Sequence, residues 1–415
     1  MTCGFASSTP PCRCVFRRVP RLAPVPLNLG VLNALLRGHT DRDEEAAVLS
    51  LLRQASGPDF DEALRNVDAA ELFASLDGRL IGPDHRTALR NLILERLDTL
   101  SIPALANVVY GLQAGHTDGA DAETIAAVFQ AVGGERLTEL KNTINNRPDH
   151  HDLEELIFSD IGDPEIRDVI VAHIEAEARD VHPGEVKVLC DIDDTVAAAL
   201  HDRRFPRGTV YPGVLAVLDA LDRGPDDEAY SLGDLTFVTA RPGDLFGLIE
   251  NHTRATLRRA GIKHHSVLTG TFAALASHDL MAARKLNNIA HYRQLFPEYR
   301  MVFIGDSGQG DVTVGELIQE RFGDVVDAVL IHDVVATPPD VRAERAARGI
   351  VTFDTYLGAA VELCAAGLVS AAAVTRVHDQ SVEGLDAITW DSPDQERQAR
   401  ALFAADTRRM HDVPA

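Results

Sequence analysis

Between Leu32 and Ala178 apolar side chains recur three and four positions apart, as in Ala47, Val48, Leu51 and Leu52, and Gly and Pro fall mainly between such runs. That period keeps one face of an α-helix apolar, so residues 31–180 are expected to form an all-α domain. After Pro183 the pattern changes. Short β-rich runs at 186–190, 235–238, 301–304 and 328–331 alternate with helical stretches, the signature of a parallel sheet covered by helices. The expected fold class is therefore α/β, preceded by an all-α part. Ala-rich helices are expected over 356–366 and 369–377, broken at Gly367, and a polar tail over 381–415 with one more helix near 394–405. The chain thus divides into a basic arm (1–30), a helical domain (31–180), a sheet domain (183–380) and the tail.

The tetrapeptide Gly-His-Thr-Asp occurs at 38–41 and again at 115–118, and the apolar positions that follow correspond: Val48 with Ile125, Leu51 with Val128, Leu52 with Phe129. This reads as two diverged helical repeats. Thr40 and Thr117 are placed to cap the helices that follow, since a hydroxyl can accept the unpaired N–H groups of a first turn.

Composition narrows the partners. The formal charge is −23, while residues 1–40 hold five Arg and no Asp or Glu. An acidic body with only short basic clusters, such as Arg203, Arg204 and Arg207, does not fit a nucleic-acid partner. The arm has the composition of an organelle transit peptide or a flexible tail. Cysteines at 3, 12, 14, 190 and 364 form no zinc or disulfide spacing, which suits a reducing compartment. No run is long and apolar enough to span a bilayer. The expected location is cytoplasmic, with peripheral membrane attachment and organelle targeting by residues 1–40 left open.

Four strand-end elements carry candidate chemistry. Val-Lys-Val-Leu-Cys-Asp-Ile-Asp-Asp-Thr sets Asp191 and Asp193 just beyond a buried strand, with Thr195 following; ligands of open α/β sheets bind at such ends. Asp191 through its carboxylate and Asp193 through its carbonyl could share one cation, leaving the Asp193 side chain for proton transfer. In Phe-Val-Thr-Ala-Arg-Pro, Thr239 follows a second strand and could donate to a phosphate oxygen. Lys285, opening a helical run over 285–295, could neutralise a carboxylate and a bound phosphoryl group. Met-Val-Phe-Ile-Gly-Asp-Ser-Gly-Gln-Gly-Asp adds Asp306 and Asp311 in a glycine-rich loop. Hard oxygen donors with few histidines nearby favour Mg²⁺ over zinc.

In order, Asp191, Asp193 and Thr195, then Thr239, Lys285, and Asp306 with Asp311 resemble the four motifs of the haloacid dehalogenase superfamily over residues 183–335. Asp-Ile-Asp-Asp-Thr, Tyr-Pro-Gly-Val at 211–214, Arg-Lys-Leu, and Phe-Ile-Gly-Asp-Ser-Gly-Gln-Gly-Asp followed by Ile-His-Asp-Val are more narrowly similar to the catalytic domain of actin-patch phosphatidate phosphatases. The resemblance implies a Rossmann-like sheet with little or no cap. It also implies Mg²⁺ held by Asp191, Asp193, Asp306 and Asp311, attack by Asp191 to give an aspartyl-phosphate, and acid/base work by Asp193. Where family members carry Ser-Asn-Ser, this chain has Thr239, Ala240 and Arg241. The N-terminal repeats are loosely similar to annexin repeats, which bind anionic membranes through calcium. Neither copy has the full glycine-rich calcium loop, so calcium is not carried over and the repeats are read as a module for a protein or membrane partner.

Only about 40 residues separate Thr195 from Leu235, and a helix over 213–221 consumes their end, so the site is expected to lie open under a short flap that contains Arg203, Arg204 and Arg207. An open site suits a lipid phosphate such as phosphatidate at a membrane surface. A non-lipid phosphomonoester, on a phosphoprotein or a nucleic-acid end, is the alternative. A membrane- or protein-binding module with a vestigial phosphatase domain is the third reading.

Overall fold

The computed structural model describes residues 28–37, 41–76, 84–146, 152–227, 235–242, 266–270 and 278–411; side chains at 239–242, 266–270, 278–281 and 284 lie outside that description. Six strands form one parallel sheet: β1 (Val186–Cys190), β2 (Leu235–Pro242), β3 (Ser266–Gly270), β4 (Arg300–Asp306), β5 (Val326–His332) and β6 (Ile350–Phe353). Their order is β3-β2-β1-β4-β5-β6, with every neighbouring pair parallel. The chain steps outward from β1 to β3, returns to place β4 beside β1, and steps outward again. The order reverses between β1 and β4, and their C-terminal ends flank the crevice where such sheets bind ligands. The expected α/β architecture is present, with two strands, β3 and β6, that the sequence pattern did not reveal.

Every residue of β1 is buried, as a strand covered on both faces requires. Alternation divides the side chains. Leu189 and Phe303 enter one apolar cluster with the helices His278–Leu295 and Asp311–Phe322, while Val188, Cys190, Val302 and Ile304 enter a second with Val214–Arg223, Tyr356–Ala365 and Ala371–Ala387. The first cluster does not stop at the sheet domain. It runs without a break from Leu32 through Phe60, Phe129 and Ile174 to Tyr292 and Ile350, so the helical module is packed onto one face of the sheet.

Within that module, helices open at Arg42, Gly57 and His85, and further helices at Gly119, Glu135 and Pro164. The caps differ from expectation. Asp41 accepts from the amides of Asp43 and Glu44 in a full capping box, and Asp118 accepts from Asp121 N; a carboxylate at the helix N-terminus also meets the positive end of the dipole. Thr117 Oγ1 is buried without a hydrogen-bond partner, and Thr40 lies outside the described residues. Asp121 is fully buried and joins the two halves of the module, accepting from Arg86 at 2.6 Å and Arg90 at 2.7 Å.

The helix expected near 394–405 is present, but residues 381–411 pack onto the sheet domain and do not form a separate tail. They complete the helix Ala371–Ala387 and form Pro393–Met410, which docks Phe403 and Met410 against the second cluster and buries Ala399. Thr355 Oγ1 donates to Asp406 Oδ2 at 2.7 Å, tying this helix to the start of Tyr356–Ala365. Replacing Asp406 with Ala removes that tie and is expected to cost about 1–3 kcal/mol, read as a lower denaturation midpoint; an unchanged midpoint would mean the last helix contributes little to the fold.

Candidate active site

Asp191 follows β1 directly, and its backbone N–H still bonds to the Ile304 carbonyl of β4 at 2.8 Å. The ladder therefore fixes the Cα from which the carboxylate projects. Lys285 meets it there: Nζ donates to Asp191 Oδ1 at 2.6 Å and to Asp311 Oδ1 at 2.5 Å. Lys285 does not open its helix as expected but sits in the second turn of His278–Leu295. Thr195 Oγ1 approaches Asp191 Oδ2 at 3.4 Å.

Asp306 ends β4 and accepts from Gly308 N at 2.7 Å, while Asp311 opens the next helix and its Oδ2 accepts from Asp306 N at 3.3 Å. This close approach needs a glycine, because a Cβ on Gly305 would stand 2.6 Å from Asp311 Cβ. Asp191, Asp306 and Asp311 place carboxylate oxygens within 4.8 Å of one another, all buried. Two carboxylates at that distance repel by about 3–4 kcal/mol at an effective dielectric near 20. Lys285 offsets one charge of the three. The donor set, hard oxygens with about two negative charges in excess, fits a divalent cation such as Mg²⁺.

The same imbalance shows in proton affinities. Burial, with Asp311 adding to it against the counter-pull of Lys285, raises Asp191 to about 7. Burial and then the charges of Asp311 and Asp191 raise Asp306 to about 9. For Lys285, burial pulls downward, but Asp191 and Asp311 outweigh it and hold the ammonium charged.

Two further groups line the loop. Gln309 Nε2 donates to the Asp193 carbonyl at 3.3 Å and to Asp306 Oδ2 at 3.2 Å, which brings Asp193 O beside the acidic cluster. Asp193 itself is half-buried. Tyr356 Oη donates to the Thr195 carbonyl. Thr239 lies in β2, and its side chain is outside the described residues.

Residues 196–212 form a short flap, held by polar contacts. Asp194, at φ 62, accepts from the amides of Ala199, Leu200 and His201; Asp tolerates this left-handed conformation better than most residues. Its carboxylate serves the flap, although it lies near His201 and Asp306. Arg204, placed by the sequence in the flap with Arg203 and Arg207, is buried: Nε donates to Asp202 Oδ1 at 3.0 Å, and Nη2 donates to His332 Nε2 at 3.0 Å. His332 Nε2 is thus an acceptor and Nδ1 carries the proton given to the Asp194 carbonyl at 2.9 Å. Burial and the Arg204 charge push its pKa down to about 4, which keeps the ring neutral. Only Arg203 and Arg207 of the three arginines are exposed.

Residues 186–333 match the family model described as the phosphatidate phosphatase APP1 catalytic domain, a family of haloacid dehalogenase-like phosphoric monoester hydrolases. The matched span holds Asp191, Lys285, Asp306 and Asp311. It leaves residues 28–180 uncovered, so the annexin likeness of the module gains nothing from it. No match to the chain was found among curated proteins or among solved structures. No helix among the described residues is long and apolar enough to cross a membrane.

The raised carboxyl groups make a signed prediction. A folded-state pKa above the unfolded value means that the folded chain binds more protons, so stability falls as pH rises through that window. In chelator the unfolding midpoint is expected to fall from pH 5 to pH 8, and Mg²⁺ to raise it most at pH 8; a flat profile without metal would refute the picture. Gly305→Ala is expected to force Asp311 aside and cost about 1–3 kcal/mol, measured by chemical denaturation.

Proposed function

We propose that the chain is a Mg²⁺-dependent phosphomonoesterase that transfers a phosphoryl group first to Asp191 and then to water, with phosphatidate or a related lipid phosphate as substrate. The observation that carries this reading is the buried ammonium of Lys285 shared by Asp191 and Asp311, within the span that matches the phosphatase family.

Lys285 engages Asp191 Oδ1, which leaves Oδ2 as the attacking oxygen. Covalent attack splits one hard displacement into two easier ones. Asp193, two residues on and half-buried, protonates the leaving oxygen and then takes a proton from water. Asp191, the Asp193 carbonyl and Asp306 would hold the cation, with Asp311 chiefly anchoring Lys285. When bound, the cation neutralises charge on the phosphoryl oxygens. The hydroxyl of Thr239 is assigned to a phosphoryl oxygen and that of Thr195 to Asp191.

Two features favour a lipid. The flap over residues 196–212 is too short to enclose a substrate, and two exposed apolar residues flank the loop beyond β4. Leu200 is 53% exposed and Val335 49% exposed. The backbone of Gly308 lies against the His201 ring, and Val334 N bonds Ser307 Oγ, so both residues sit at the rim. The Thr239-Ala240-Arg241 departure favours the second reading, a non-lipid phosphomonoester. The helical module, in either case, is assigned a partner-binding or structural role. The intact acid set argues against a vestigial site.

Phosphate release from dioleoyl phosphatidate in mixed micelles and from p-nitrophenyl phosphate is expected to require Mg²⁺ and to fall by about 10³-fold or more in Asp191→Asn. Release from the soluble ester alone would keep the chemistry and discard the lipid. Release that survives Asp191→Asn would refute the mechanism.

A further inference from the structure

At the end of the sheet domain remote from the reacting groups, one helix of the module, Glu135–Asn145, bonds it through Thr138, Lys141 and Asn142. Lys141 Nζ donates to the Leu295 carbonyl at 2.9 Å and to both oxygens of Glu298 at 2.6 and 2.9 Å. Its neighbour Asn142 accepts at Oδ1 from Lys187 Nζ at 2.7 Å and donates from Nδ2 to Tyr299 Oη at 2.8 Å. Lys187 Nζ also lies over the Tyr299 and Phe296 rings, 4.2 and 4.7 Å from their centroids. Lys141, Asn142, Lys187 and Glu298 are all buried.

The two elements gripped here are those whose opposite ends meet at the site. Lys187 lies on β1, four residues before Asp191; Leu295 ends the helix that carries Lys285, ten residues earlier. At about 3.3 Å per strand residue and about 1.5 Å per helix residue, both grips stand roughly 13–15 Å behind the Asp191–Lys285 contact. The module holds the same helix a second time. Glu154 Oε1 pairs with His291 Nδ1 at 2.8 Å, and Phe158 stacks on the His291 ring at 3.9 Å.

We infer that the helix Glu135–Asn145 is a clamp that sets the separation of Asp191 and Lys285, with Lys141 and Asn142 as positioning residues. The inference rests on the reading of Asp191 and Lys285 as the reacting pair. It makes the module part of the frame of the site. A displacement of about 1 Å in such a pair can cost about 10²-fold in rate.

The test uses the full chain. Lys141→Met with Glu298→Leu replaces the ion pair by apolar groups of similar size, an exchange that is often neutral for stability; Asn142→Leu is the second variant. Unfolding midpoint, kcat and KM for p-nitrophenyl phosphate, and hydrogen exchange over residues 186–191 and 282–290 are measured at a temperature where every variant is folded. The expected result is a KM within about twofold of wild type, kcat lower by about 10- to 100-fold, faster exchange over 282–290, and partial recovery of kcat in Lys141→Arg. Unchanged kcat and unchanged exchange in a folded variant, or a lower midpoint with no change in kcat, overturns the clamp. If the paired substitution prevents folding, Asn142→Leu decides by the same criteria. Should the wild-type chain release phosphate from no ester, the reading of the site fails instead, and exchange alone judges the clamp: faster exchange retains the mechanical tie and unchanged exchange removes it.

Discussion

One buried ammonium holds the candidate site together. Lys285 bonds to Asp191 and Asp311 at the same time, and without it three carboxylates would face one another with water largely excluded. Much of the surrounding structure follows from that constraint. The helix His278–Leu295 must aim its second turn at the end of β1, and β4 must carry a glycine at 305, one residue before its end, so that Asp311 can close in from the following helix. The carboxyl groups that Lys285 leaves uncompensated rise in pKa, and a divalent cation is the simplest means of lowering them again.

What could be read from the chain alone follows the range of the interactions involved. Asp191 and Asp306 were legible because an apolar run ended by an acid is local in sequence, and parallel sheets put ligands at such ends. Asp311 was legible as an acid, but its bond to Lys285 joins positions whose closeness only the fold supplies. Gln309 lay inside a motif already singled out, although nothing in its spacing marks an amide that bridges Asp193 and Asp306. Tyr356, which bonds the Thr195 carbonyl from across the domain, left no sequence signal. Arg204 misled because a basic residue in a polar loop ordinarily stays in water; Asp202, Tyr211 and His332 together make its burial tolerable.

The same reasoning explains the C-terminal end and the domain limits. The helix Pro393–Met410 was legible near 394–405, but it is polar on most of its surface and buries only a narrow stripe around Ala399, so its docking on the sheet domain was not. The helical module and the sheet domain looked separate because periodicity shows that a helix has an apolar face, not which neighbour covers it. The unbroken cluster from Leu32 to Ile350 supplies that missing information.

Lys141 and Lys187 would each pass for surface lysines in a sequence, yet both are buried, Lys141 against the carboxylate of Glu298. Burial pulls the Lys141 ammonium down to about 8, more than Glu298 restores. Such a network is a poor source of stability, since apolar residues of the same volume commonly serve as well. Its directional bonds do something packing alone does not: they fix the register of the helix Glu135–Asn145 against β1 and against the end of His278–Leu295 at once. A site whose proposed chemistry tolerates errors of only a fraction of an ångström gains from that register. The constraint that places Lys285 beside Asp191 thus begins in residues that touch neither.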